Sequence, residues 1–483
     1  NPYAAARPAR RLTRRASRTS GALARRGRQG DPAVGMKRPV AAGRCQVGAR
    51  CVIMTILGLA AVVQLLSFRS LTAPPPPPPI ADDLSSTLGG SAVEAPHLTL
   101  RRAADEPAAG EPAKKVVAYA VSVTQDGAYI DGAAVLAHSV IRVHRHGKSR
   151  YSVELVAFVA PKVSLGGRAR LEALGYRVLV RGLPVEVEDI EGAYLRSKIG
   201  SNGCCGAWEL LKLYSWTLTE YHRVVHLDMD VAVLQNMDEL YDDSSIFWRN
   251  PKTMALFTYD LTMATQPWGT NAPVQGGFVV AKPDLETYQA LVAVVKKGDF
   301  GGKGKGWGGT KAGTYWGGMT IQGLLPYFFE RYRPGAGYVV DGCVYNNMVT
   351  NPRDVGGFGK GKCRDGTQPP GECADCRLVD VKTVKTVHFT ICQKPWTCAS
   401  DGGSCPYCAL CAKLHAKWFE IREEMEKEWG TYSTTAYSGN APKRSGMCGT
   451  HADGSKGYKP VPIDLLIENA TAAEHWRASW RSR

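Results

Sequence analysis

Acidic residues are almost missing from the first fifty positions, which hold one, Asp31, against thirteen Arg or Lys. That segment accounts for +12 of the formal net charge of +16, so the rest of the 483-residue chain is nearly neutral. The basic character belongs to an arm, and a nucleic-acid reading rests on that arm alone. No nucleic-acid partner is expected, because an apolar run follows the arm. A phosphate loop is missing too. Residues 297–318 are glycine-dense and basic, but they lack the G-x-x-x-x-G-K-[ST] spacing, which excludes an ATPase of that type. They read as a flexible loop. Cysteine is absent between Cys51 and Cys204, and twelve cysteines then run from Cys204 to Cys448.

The apolar run is Val52 to Phe68, 17 residues without a charge. It is at the short end of what spans a hydrocarbon core and suits the thinner membranes of the early secretory pathway. The Arg and Lys excess before it orients that side to the cytoplasm. The expectation is a basic cytoplasmic tail over 1–50, a single-pass type II signal anchor over 51–68, and a lumenal remainder in the Golgi or ER. A cleaved signal peptide is the rival, but its small-residue site near Ala73 runs into Pro74 to Pro79. Met36 opens a tidy positively charged region, which leaves 1–35 as untranslated upstream sequence or a fragment. The even number of cysteines beyond the anchor reads as disulfides in an oxidising compartment. Asn469-Ala470-Thr471 is an N-glycosylation acceptor on the matching side.

Residues 69–113, rich in Pro, Ala and Ser, read as a disordered stem. An α/β domain is expected over 114–400. Val116 to Val123 is a continuous apolar run, the pattern of a strand buried on both faces. Helical spacing follows over Ala133 to Val143. Further strands are predicted at Tyr151 to Val159, Tyr176 to Val180 and Arg223 to Leu227, with a short helix between Arg168 and Leu174. Alternation of this kind implies a mostly parallel sheet flanked by helices. A helix is expected over Ala207 to Tyr221, with Leu211, Tyr214 and Leu218 on one face.

Asp228-Met229-Asp230 ends the Arg223 to Leu227 strand, and ligands of open α/β sheets bind outside the strand carboxyl ends. A D-x-D triplet is a weak signal alone, because a strand-end turn that caps the next helix has the same residues. His388 ends another predicted strand, and Lys394 follows six residues later in Lys-Pro-Trp. Two carboxylates and an imidazole suit Mn2+ better than Mg2+, since imidazole is a borderline donor. A divalent ion on a nucleoside diphosphate neutralises the charge of that leaving group, and Lys394 adds a second positive charge.

These residues resemble a family 8 glycosyltransferase of the glycogenin-like branch, over about 120–400. Four blocks bear the resemblance: Val123 to Tyr129, Leu211 to Trp216, His226 to Leu240, and His388 to Trp396. It implies a GT-A, Rossmann-like fold and a retaining transfer of a hexosyl group from a UDP-sugar to an acceptor hydroxyl of a glycan, protein or lipid. It implies Asp228, Asp230 and His388 as metal ligands. Thr124 and Tyr129 would contact the nucleotide, Lys212 would reach the donor, and Lys394 would bind the diphosphate. Gln275-Gly276-Gly277 stands where the family often has Asn-Ser-Gly, and Gln275 can still bond a sugar hydroxyl. Gln322 matches a site residue of the family, with a catalytic role implied. The preceding position, an aspartate that touches the transferred sugar in the family, is Ile321 here.

Residues 401–483 read as a Cys-rich extension, a helix around Leu410 to Trp429 and a polar tail. The pairs Cys373/Cys376, Cys405/Cys408 and Cys408/Cys411 have C-x-x-C spacing. Disulfides are expected there, with a zinc ribbon as the alternative. A second functional reading also stands: a lumenal binding protein that keeps the fold but has lost activity. Ile321 favours it, while Asp228, Asp230, His388 and Lys394 oppose it.

Overall fold

The structure is a computed structural model that describes residues 114–145, 148–260, 263, 272–351, 375–398, 408–433, 444–450, 454, 456–468, 474 and 476. The expected tail, anchor, stem and glycosylation sequon lie outside the described residues. No helix among the described residues is long and apolar enough to cross a membrane.

The strands in chain order are β1 (Val116–Val123), β2 (Ser152–Val159), β3 (Tyr176–Val180), β4 (Arg223–Leu227), β5 (Val231–Val233), β6 (Ala255–Tyr259), β7 (Val274–Ala281), β8 (Phe300–Gly301), β9 (Gly306–Trp307), β10 (Gly337–Val339) and β11 (Thr386–His388). A seven-stranded sheet has the order β10-β6-β7-β4-β1-β2-β3. The β1–β2, β1–β4, β2–β3 and β6–β10 pairs are parallel. β7 runs antiparallel to β4 and β6. The sheet is therefore mostly parallel with one reversed strand, as the alternation of elements predicts. β1 is buried on both faces because Val117 to Val121 offers no polar face.

The helix Tyr129–His144 covers the sheet with a small-residue face, Gly132, Ala133, Ala134 and Ala137, all buried. The helix Leu165–Ala173 starts where Ser164 Oγ accepts from the Gly167 N–H at 3.0 Å. Such an N-cap contributes about 1 kcal/mol. The helix Leu285–Lys297 is capped by Asp284 and ends at Gly298 in the left-handed region.

Two local expectations change. Gly206–Thr217 is a 3-10 helix, not the α-helix that the spacing of Leu211, Tyr214 and Leu218 suggests. Ala207, Leu210, Leu213 and Trp216 form a buried row of period three that the 3-10 geometry satisfies, with Leu211, Lys212 and Ser215 buried beside it. The glycine-dense segment around 297–318 is packed rather than a free loop. β8 and β9 pair within it. Trp307 is fully buried, meets the Phe300 ring edge-on, and donates from its indole N–H to the Gly318 carbonyl at 2.9 Å. An aromatic anchor that composition alone conceals holds the glycine-rich backbone in place.

Residues beyond 400 pack on the sheet domain. Along the helix Cys408–Glu428, Trp418 meets Trp396, and Glu428 accepts from Arg145 at 2.7 and 2.9 Å. The Val461 N–H donates to the buried Asp131 carboxylate at 3.0 Å. Disulfides join Cys343 to Cys376, Cys392 to Cys411 and Cys398 to Cys448. Cys376 and Cys411 thus pair with cysteines outside the C-x-x-C spacings, which removes both from a zinc ribbon. Cys204 and Cys205 are thiols, so the pairing expected of all twelve cysteines fails at these two.

Candidate active site

Main-chain bonds position the acidic triplet. The Asp228 N–H donates to the Gly277 carbonyl at 3.2 Å, and the Val231 N–H donates to the Asp228 carbonyl at 3.1 Å. β5 then pairs antiparallel with β11, which sets His388 opposite Val231. The Phe389 N–H closes this ribbon on the Asp230 carbonyl at 2.9 Å. A residue far along the chain is thereby fixed beside Asp228 and Asp230.

Each carboxylate divides its two oxygens. Asp228 Oδ1 accepts from Lys212 Nζ at 2.8 Å, and its Oδ2 lies 3.7 Å from His388 Nε2. Asp230 Oδ2 accepts from Lys394 Nζ, and its Oδ1 lies 3.2 Å from the same His388 nitrogen. One ligand atom from each of Asp228, Asp230 and His388 lies within 4.8 Å of the others. Two hard oxygens and one imidazole nitrogen, with the outer oxygens held by lysines, make a donor set that fits a divalent cation.

The charges favour ionised carboxylates. Burial opposes ionisation of Asp228, but Lys212 and then His388 hold its carboxyl below the usual range. Burial likewise opposes ionisation of Asp230, and His388 and Lys394 outweigh it. Burial also disfavours the Lys212 ammonium, yet Asp228 and Glu209 raise its pKa and keep it charged. His226, beneath this group, is pushed down to about 3 by burial and then by Lys212. It therefore sits neutral between Ser122 Oγ at 3.2 Å and Ser215 Oγ at 3.1 Å.

A pH dependence follows. The Asp230 carboxyl titrates near 3.8 when unperturbed and lower in the folded chain. Its contribution to stability is present above the unfolded value and drains away as pH falls through that value toward the folded one. In urea unfolding, the stability gap between the chain and Asp230→Asn is expected to narrow as pH falls from about 5 to about 2. A gap that stays constant across that range contradicts the assignment.

Gly277 is required by close approach. A Cβ there would sit 2.4 Å from His388 Cε1 and 2.6 Å from Asp228 Oδ2. Gly277→Ala is expected to weaken divalent-cation binding by about 10–100-fold in a titration and to destabilise the chain by about 1–3 kcal/mol. Unchanged cation affinity would show that this contact does not set the ligand geometry.

The other sequence-predicted residues are placed less uniformly. Thr124 follows β1, half-buried at the same carboxyl edge as Asp228. Tyr129 opens its helix, 42% exposed, and meets the Trp396 ring edge-on at 5.2 Å. Burial and then the Asp230 charge push its hydroxyl up to about 12, which places the ring near the carboxylates. Lys212 is buried and bonded to Asp228, to the Gly276 carbonyl at 3.0 Å and to Glu209 at 2.8 Å. Gln275 is buried, and its Oε1 accepts from the Gly277 N–H. Gln322 Oε1 lies over Gly317, where a Cβ would sit 1.6 Å from it. The neighbouring Ile321 is fully buried, and its Cγ2 would lie 3.1 Å from a Cβ on Gly276. Glu209 escaped the sequence reading, although its i,i+3 spacing to Lys212 is a legible signal.

No family model matches the chain. It is 29% identical to human glycogenin-1 over 216 residues, 44% of this chain and 52% of that protein. It is 33% identical to galactinol synthase 7 of Arabidopsis thaliana over 135 residues, 28% of this chain and 36% of that protein. The chain thus spans about half the length of the first relative and about a third of the second. Among solved structures, galactosyltransferase LgtC with donor and acceptor sugar analogs matches at 15% identity and a TM-score of 0.34, over 62% of this chain and 95% of that one. By these sequence relatives, the chain is similar to glycogenin-like glycosyltransferases of family 8.

Proposed function

We propose that this chain is a metal-dependent retaining glycosyltransferase that moves a hexosyl group from a UDP-sugar to an acceptor hydroxyl. The observation that supports it best is the convergence of two ionised carboxylates and an imidazole, with Lys394 against one carboxylate. Asp228, Asp230 and His388 would hold the cation, for which Mn2+ is the fitting choice given the imidazole donor. When bound, it supplies Lewis-acid neutralisation of the diphosphate leaving group. Lys394 adds a cationic contact to that diphosphate, and Lys212 keeps Asp228 ionised and aimed. Ile321 gives the wall beside Gly276 an apolar surface where the family resemblance implies a carboxylate, so the donor sugar is read there through shape rather than a charged contact. A single N-terminal span would anchor the domain on the lumenal side of the Golgi or ER membrane.

The test is Mn2+-dependent release of UDP from a panel of UDP-hexoses, followed by the anomeric configuration of any product. Release from at least one donor, abolished by chelation, is expected. A folded chain that releases UDP from none of them overturns the proposal.

A further inference from the structure

Cys204 and Cys205 stand apart from the disulfide cysteines. Their Sγ atoms are 3.0 Å apart. Adjacent side chains of an extended chain point to opposite faces, so this juxtaposition needs a tight turn. Gly203 at φ 68° and Gly206 at φ 59° supply it. A Cβ on Gly206 would lie 2.2 Å from the Gly200 carbonyl oxygen, which closes the turn to other residues. Glu209, on the first turn of the 3-10 helix, completes the group. Its Oε1 lies 3.1 Å from Cys204 Sγ, and its Oε2 lies 2.8 Å from Lys212 Nζ. One ligand atom from each of Cys204, Cys205 and Glu209 lies within 4.8 Å of the others. Cys204 is exposed and the other two are half-buried, so an ion reaches them from solvent.

We propose that Cys204, Cys205 and Glu209 form a second cation site, for a thiophilic divalent ion of the zinc and cadmium class. Two sulfurs select against Mg2+, Ca2+ and Mn2+, which favour oxygen donors. The Asp228, Asp230 and His388 set has the opposite preference. Both thiols lose their protons on binding, and water fills the fourth position of a tetrahedral ion. The two sites share no ligand, yet they are linked, because Glu209 holds Lys212 and Lys212 holds Asp228. The proposal stands whether or not the first site transfers sugars.

Cobalt(II) titration of the full chain tests it, because cobalt bound to thiolate gives charge-transfer absorption that an aspartate–histidine site lacks. A band that saturates at one ion per chain and is bleached by Zn2+ is expected. It should vanish in Cys204→Ser and in Cys205→Ser, and persist in Asp228→Asn. Glu209→Gln should keep the band but need more cobalt to reach it. Circular dichroism establishes that each variant is folded. No band in the reduced chain, or a band that survives both serine variants, overturns the proposal. A Cys204–Cys205 disulfide found by mass spectrometry in protein isolated without reductant overturns it as well.

Discussion

Asp228→Asn is expected to lower UDP release from the preferred UDP-sugar by about 100-fold or more, the order seen when one preorganised charge-stabilising group is lost. The substitution keeps the shape of the side chain and removes its charge. It takes away one hard oxygen donor at the point where Asp228 Oδ2 faces His388. The fold should survive, because Lys212 keeps its bonds to Glu209 and the Gly276 carbonyl. The measurement is the initial rate of UDP release at saturating Mn2+, with cation affinity titrated in parallel. A normal rate in the variant would remove Asp228 from the cation site that the reaction uses.

Lys212→Met is expected to have the largest effect on stability. Lys212 is buried between the Asp228 and Glu209 carboxylates, each at 2.8 Å. Met preserves the stem and its packing but leaves two negative groups facing each other without a cation. Breaking a buried pair in this way costs about 3–5 kcal/mol. Urea unfolding at neutral pH measures it. Added Mn2+ should recover part of the loss, because an ion that binds only the folded chain stabilises it by mass action. A deficit below about 1 kcal/mol would mean that water screens the two carboxylates and that the pair contributes as little as a surface pair does.

The readable parts of the fold were those where one physical rule dominates. β1, β3 and β4 match their predicted bounds residue for residue, and β1 shows the reason most plainly, since a strand buried on both faces favours a continuous apolar run. The helix 206–217 was misread because an apolar pattern at i and i+3 is compatible with both α and 3-10 geometry. Packing accommodates the 3-10 geometry, with a buried three-residue row ending at Trp216. The segment around 297–318 was misread for a different reason. Its glycine count signals freedom, while its order comes from the burial of Trp307.

The same division holds in the site. Asp228 and Asp230 are visible as a triplet at a strand end, and His388 and Lys394 as a block of the right kinds of residue. Their meeting depends on the β5–β11 pairing, a contact between segments far apart in the chain. Lys212 was legible as a functional lysine but not as a buried bridge between two carboxylates. Gln322 was legible as a motif residue, and the structure turns it toward Gly317. Cysteine counting favoured complete pairing, yet Cys204 and Cys205 lie in a turn beside Glu209, apart from the disulfides among the described residues.

By itself, then, the sequence determined the α/β class, the strands of the sheet's core, the family resemblance and the residue types available for a divalent ion. These are properties of local apolar pattern and chemical identity, which every short window of the chain expresses. Only the tertiary structure decided which carboxylate oxygen faces His388, that Lys212 points inward, that the segment beyond 400 closes over the first helix, and that two thiols and a carboxylate share a turn. Each of these is set by contacts between distant segments, where burial and charge pairing outweigh local preference.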